Sequence, residues 1–237
     1  MLNIDGLNIA RGQFFQGVFD HVNKFGYNAS VGSTYEPITD LGTDNLVSVA
    51  GVASIVSAST NDTSAGSGAR TVEINGLDSN YLPLKETVTL NGTTAVTTTS
   101  SFLRIFRAKV LTAGSSETNV GDITFSIGGT NVARIVAENG QTLMGVYTIP
   151  AAKVGYLLGW QASVSKNSDV IVQLRTKEIG GAWQVKCQLG SYANNIKQEY
   201  SIPLVIPPKT DIEFRAKSGG TQEVGIIFDL TFTRAAV

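Results

Sequence analysis

Residues 84–106 read LKETVTLNGTTAVTTTSSFLRIF, and the interpretation of this run settles the fold class. Threonine and valine share a branched Cβ that restricts χ1 and suits a pleated, half-buried surface, so the run reads as sheet. Asn91-Gly92 lies in its middle, where a tight turn takes positive φ at little cost. The stretch is therefore expected to be a hairpin, with KETVTL running out and TTAVTTT returning. The competing interpretation is a threonine-rich surface for sugar binding or glycosylation; alternation favours architecture.

The same pattern extends outward. From about residue 44 the chain is a succession of short alternating or apolar runs, from NLVSVAGVASIVSAS (45–59) to EVGIIFDLTFTR (223–234). Gly128-Gly129, Asn139-Gly140, Gly180-Gly181 and Gly219-Gly220 each fall between two predicted strands, and no long helical period interrupts the series. The expected fold is all-β: an antiparallel β-sandwich, jelly-roll-like, over residues 44–237 with a subdivision near residue 140. Residues 1–43 show little alternation and hold a phenylalanine cluster, and they read as an N-terminal arm. Phe15, Val18, Phe19 and Val22 have the spacing of a short helix, which Gly12 and Gly17 weaken; an extended arm is an equal contender. Aromatic side chains anchor interfaces strongly, so Phe14, Phe15, Phe19, Phe25 and Tyr27 are the expected assembly contacts.

Composition narrows the function classes. Charged residues make up 16% of the 237, below the roughly 25% usual for soluble domains, so Ser, Thr, Asn, Gln and Gly must furnish much of the surface. Eighteen basic against nineteen acidic side chains give a net charge of −1, which argues against a broad footprint for nucleic acid or an anionic membrane and leaves room only for a localised basic patch. The start MLNIDGLNIARGQFF lacks the basic and apolar regions of a secretion signal, and no apolar stretch approaches the roughly 18 residues of a membrane span, so synthesis in a cytosol is expected.

The inventory for catalysis is thin. His21 is the single histidine and Cys187 the single cysteine, so neither a metal site, a disulfide nor a nucleophile-and-base pair is expected, and no cofactor is implied. A hydrolase would need two carboxylates. Asp211 and Glu213 alternate onto one face of a predicted strand, where they read as like charges on a solvated surface. The connectors STNDTSAGSG (59–68) and TAGSSETNVG (112–121) are the best exposed-loop candidates, with too few acids for a calcium loop. Trp160 and Trp183 each start a strand beside glycine; they read either as core or as a platform for glycans.

Three segments in order, VNKFGYNASVGSTYEPITDLG (22–42), NDTSAGSGARTVEINGLDSNY (61–81) and LKETVTLNGTTAVTTTSSFLRIFRAKVLTAGSSETNVGDITF (84–125), carry a resemblance. Across roughly residues 22–127 the chain resembles a family of virion structural proteins from tailed phages, particularly marine and cyanobacterial ones. The resemblance implies a non-enzymatic particle component made in the host bacterial cytoplasm and located in the virion. Its partners would be other virion proteins of capsid, neck or tail and further copies of itself, a trimer being the first expectation, with neither nucleic acid nor membrane bound. A head decoration or cement protein, a neck or tail component and a fibre-associated adaptor all fit. The family pattern often has an aromatic where this chain has Ile38-Thr39-Asp40, so an arm contact is not implied there. A carbohydrate- or receptor-binding module using Trp160 and Trp183 is the alternative from a different class.

Overall fold

The computed structural model describes residues 20–43, 46–165, 169–192 and 195–234. The described residues form strands and no helix. They divide into two compact bodies, one of residues 20–25, 29–38 and 145–234, the other of residues 26–28 and 39–144. In chain order the first body supplies most of β1 (Asp20–Val31), all but residues 26–28, and β2 (Glu36–Pro37). The second supplies β3 (Gly51–Ser57), β4 (Ala69–Leu77), β5 (Pro83–Thr89), β6 (Val96–Phe102), β7 (Arg104–Ala113), β8 (Ile123–Ile127) and β9 (Thr130–Ile135). The first then resumes with β10 (Val146–Thr148), β11 (Lys153–Val164), β12 (Asp169–Lys177), β13 (Gln184–Tyr192), β14 (Ile196–Ile206), β15 (Asp211–Ser218) and β16 (Gln222–Arg234).

In the first body β2 and β10 are two halves of one strand position. Both pair with β15, with Pro37 opposite Arg215 and Val146 opposite Glu213. Between them the ladder is unbroken: Ile38 N–H donates to Phe214 O, Phe214 N–H donates to Gly145 O, both at 2.9 Å, and Gly145 N–H donates to Ile38 O at 2.8 Å. Counting this composite once leaves eight strand positions. The sheets run β1-β16-β11-β14 and β10-β15-β12-β13, so first pairs with eighth, second with seventh, third with sixth and fourth with fifth, successive pairs alternating between sheets. That is a long antiparallel hairpin rolled into two sheets, the jelly roll. The second body is thus inserted into the second strand of the roll.

Alternation along each strand makes the core. In β12, Val170, Val172 and Leu174 point inward, and in β16 Val224, Ile226, Phe228 and Leu230 do so. At the centre Trp160 meets Phe214 edge-on at 5.5 Å between ring centroids, and Phe214 meets Phe228 at 4.8 Å, within the range where aromatic pairs gain beyond their burial.

The second body packs β6-β3-β8-β9 and β5-β4-β7, with every pairing antiparallel. Ile55, Val72, Ile74, Leu77, Phe102, Phe125 and Ile135 form its interior. The β8–β9 connection is a two-residue turn at Gly128-Gly129, with φ of 56° and 82°. Positive φ at both positions matches the twist of the flanking strands and is open to glycine.

Residues 84–106 are strands, as expected, but not a hairpin. β5 pairs with β4 and β6 pairs with β3, so the turn carries the chain from one sheet to the other. Gly92 has a φ of 60°, yet its N–H donates to Asp62 O (2.8 Å) and its carbonyl accepts from Ser57 N–H (3.0 Å), while Asn91 bridges Thr63. The turn is bonded to residues 57–63 instead of closing on itself. Glu86 supplies the contact a hairpin ladder would have made: its carboxylate accepts Thr99 N–H, Thr99 Oγ1–H and Ser100 N–H at 2.8–2.9 Å. Burial raises the Glu86 pKa, but these hydrogen bonds outweigh it and hold the group below its ordinary value. Gly219-Gly220 likewise joins strands of different sheets.

The arm expectation requires correction over residues 20–43. Asp20–Val31 is β1, hydrogen-bonded to β16 as an edge of the roll, and Glu36–Pro37 is β2. Its buried positions include Lys24 and Asn28, polar residues that erase the hydrophobic alternation by which a strand is recognised. Phe25 and Tyr27 are half-buried strand residues. Val22, the last position of the helical spacing, is in β1; Phe14, Phe15, Val18 and Phe19 lie outside the described residues.

Candidate interaction face

Two strands of the jelly roll, DVIVQLRTK (169–177) and DIEFRAKS (211–218), alternate charged or amide residues with apolar ones. Their register sets Lys217 beside Ile171, Arg215 beside Gln173, Glu213 beside Arg175 and Asp211 beside Lys177, all on the face opposite the core. Adjacent β13 adds Gln188 beside Gln173. This face therefore brings four cations together.

Its interactions are ordered. Arg175 donates from Nε and Nη2 to the two carboxylate oxygens of Glu213 at 2.8 and 2.9 Å, a bidentate pair, and Glu213 is only 1% exposed. Asp211 accepts from Thr148 Oγ1 at 2.6 Å. Arg215 Nε donates to Gln173 Oε1 at 2.9 Å, Gln173 donates to Gln188 Oε1, and Tyr35 OH donates to the same oxygen at 3.1 Å. Aromatic rings cover the cations: Trp183 lies 4.1 Å from the Arg175 guanidinium carbon and 5.9 Å from Lys177 Nζ, while Tyr35 lies 4.6 Å from Arg215 and 4.9 Å from Lys217. Burial, and then the neighbouring Arg175 charge, lowers the Arg215 pKa. Arg215, Lys177 and Lys217 have no salt bridge among the described residues.

The other predicted site residues fall elsewhere. Trp160 is 3% exposed and part of the aromatic core, so a platform built on it is ruled out by burial. Trp183 is half-buried over Arg175. His21 is an exposed β1 residue hydrogen-bonded to Asp229 Oδ1 at 3.0 Å. Cys187 is a half-buried free thiol whose pKa burial pushes up. Asp211 and Glu213 are buried and paired, not like charges on a solvated face.

The two connectors expected to be free loops are tied down in the second body by one carboxylate. Asp62, 0% exposed, accepts Ala69 N–H and Val120 N–H on Oδ1 at 2.8 and 2.9 Å, and Ser57 Oγ–H and Gly121 N–H on Oδ2 at 2.6 and 2.9 Å. A Cβ on Gly121 would stand 2.6 Å from Ser59 N, so the close approach needs glycine. With four donors satisfied, Asp62 is a structural knot rather than a cation ligand. No group of three or more metal-ligating side chains occurs among the described residues.

Sequence reading did not find the cation-aromatic face. The available signal was the i, i+2 spacing of Arg175 with Lys177 and of Arg215 with Lys217, which in a strand places each pair on one side. Tyr35 had no such signal, because only the β2–β15 pairing brings it over Arg215.

No protein-family model matches the chain, and no curated protein matches it. Among solved structures, it aligns with the capsid of the infectious bursal disease virus T13 particle at 10% identity, covering 92% of this chain and 74% of that one, with a TM-score of 0.22. The VP2 subviral particle of the same virus aligns at 11% identity, over 92% and 77% of the two chains, with a TM-score of 0.20. These neighbours are viral capsid proteins, but scores so low carry no argument about this chain.

Proposed function

We propose that the chain is a non-enzymatic structural component of a tailed-phage virion, a capsid decoration or cement protein or a neck or tail component, that assembles with other virion proteins and with copies of itself. The observation that carries this reading is the jelly roll interrupted by a second β body. Jelly rolls serve in capsids and lectins, where function lies in the surfaces presented. Four carboxylates are engaged in holding the fold: Glu213 by Arg175, Asp211 by Thr148, Asp62 by four donors and Glu86 by the β6 backbone. The sequence resemblance over residues 22–127 points to the same class.

Attachment is assigned to residues 1–19, with Phe14, Phe15 and Phe19 as anchors; Phe25 and Tyr27, inside β1, support it from the strand. The deletion that tests this must stop before β1, since removing residues 1–40 would strip two strands from the roll. A chain lacking residues 1–19 is expected to remain a folded β protein by circular dichroism and to be lost from purified particles. Undiminished incorporation would sink the anchoring role. Copy number per particle, read by quantitative mass spectrometry, separates head decoration at hundreds from neck or tail at a dozen or fewer.

A further inference from the structure

The face described above holds Arg175, Lys177, Arg215 and Lys217 against two carboxylates, both buried and hydrogen-bonded, in a chain whose net charge is −1. We propose that this face, with Trp183 and Tyr35 as stacking surfaces, binds an acidic polysaccharide, a hydroxyl-rich chain bearing carboxylates.

Three features select this ligand class. The cations are pre-positioned and outnumber the acids: Glu213 pairs with Arg175 and its charge also reaches Arg215, Asp211 is held by Thr148, and Arg215, Lys177 and Lys217 contact aromatic rings with no salt bridge among the described residues. A half-buried guanidinium in this state is a site for a carboxylate, which it can grip with two parallel hydrogen bonds. The aromatics come second. Trp183 and Tyr35 each have one side on a cation, and both are only half-buried, so an outer ring face is available for the apolar C–H face of a sugar. An amide is the third feature: Gln188, beside Gln173 on β13, is exposed, and its NH2 group matches sugar hydroxyls. From Ile171 to Lys177 the strand rises about 20 Å, so the two aromatic-cation stations are spaced for a linear polymer rather than one small molecule. An acidic peptide would want apolar pockets between the charges, and the face has Ile171 and Val185 there instead of a groove; a nucleic acid strand would want contiguous aromatics for successive bases.

The inference stands apart from the particle reading, because it is tested on the purified full-length chain. Affinity electrophoresis and calorimetry would use polygalacturonate, neutral dextran, poly-aspartate and oligo-dT as probes. Polygalacturonate is expected to bind and to weaken as NaCl rises, dextran to show no retardation, and poly-aspartate and oligo-dT to bind at least about tenfold less tightly. The double variant Lys177→Glu/Lys217→Glu, at half-exposed positions, should lose about tenfold or more in affinity with its circular dichroism unchanged. Trp183→Ala should weaken polygalacturonate more than poly-aspartate. Absence of polygalacturonate binding, equal binding of dextran, tighter binding of poly-aspartate or oligo-dT, or an unaffected double variant would each overturn the proposal. Incorporation into particles is a separate readout, so the two readings can fail independently.

Discussion

Asp62→Asn isolates the role of the buried knot in the second body. The carboxylate accepts four hydrogen bonds, two on each oxygen, and asparagine has one accepting oxygen and one NH2 group. If the amide oxygen replaces Oδ1, Ala69 and Val120 keep their acceptor and Ser57 can turn its hydroxyl to accept, but Gly121 N–H faces another donor. The opposite flip strands both Ala69 and Val120. Either way at least one buried backbone donor is left unsatisfied, and the charge assistance of the remaining bonds is lost. The expected cost is about 2 kcal/mol for asparagine and about 4 kcal/mol or more for alanine, which abandons all four donors. For a body of this size the asparagine change should lower the midpoint of its thermal transition by roughly 8–16 °C. Calorimetry reads the midpoint, and hydrogen exchange at Ala69, Val120 and Gly121 reads the local opening. A variant within about 0.5 kcal/mol of the parent, or an alanine variant no worse than asparagine, would refute the reasoning.

Two further outcomes follow from buried charges. Glu213→Ala leaves the Arg175 guanidinium without its carboxylate in a site where Glu213 is fully enclosed, and urea unfolding should show a loss of about 3–5 kcal/mol; a loss below about 1 kcal/mol would contradict the pairing. Asp40 gives a pH signature: burial raises its pKa from 3.8 to about 7, against the pull of the Leu143 N–H and Arg134, with Asp122 adding to the rise. The folded state then holds a proton that the unfolded chain releases, so stability is greatest below about pH 4 and declines as pH rises to about 7. Asp40→Asn keeps an acceptor for Leu143 N–H and removes the ionisation. Its gain should vanish near pH 4 and reach about 4 kcal/mol at pH 8, and an equal gain at both pH values would exclude this origin.

Strand identity was legible wherever alternation was clean. The runs at 69–76, 169–178 and 210–218 match β4, β12 and β15 to within a residue, and the rolled sandwich is the architecture expected from them. Partnership was less legible. Local turn chemistry is the same whether a glycine turn closes a ladder or carries the chain between sheets, and the difference at Asn91-Gly92 is made by Asp62 and Ser57, some thirty residues upstream. β1 was hidden for another reason: Lys24 and Asn28 occupy buried positions where a strand pattern calls for apolar residues. In the candidate face, the paired cations could be read from their spacing, but Tyr35 reaches Arg215 through a two-residue strand too short to leave a periodic trace. Trp160 and Trp183 read alike in sequence, each expected near a glycine at a strand start, and have opposite fates: Trp160 lies within β11 in the core, and Trp183, just before β13, sits on the outer face.

The interruption of the roll between Ile38 and Gly145 has a bearing on how such a chain can vary. Those two residues are hydrogen-bonded on a single rung, so to the jelly roll everything from 39 to 144 is one loop whose ends already meet. The entropy of closing a loop rises only with the logarithm of its length, which makes the size of what is placed there nearly irrelevant to the strands on either side. The break acts as a socket: a lineage can lengthen, replace or discard the inserted body by exchanging one contiguous stretch of gene, while the pairing that builds the roll is left untouched.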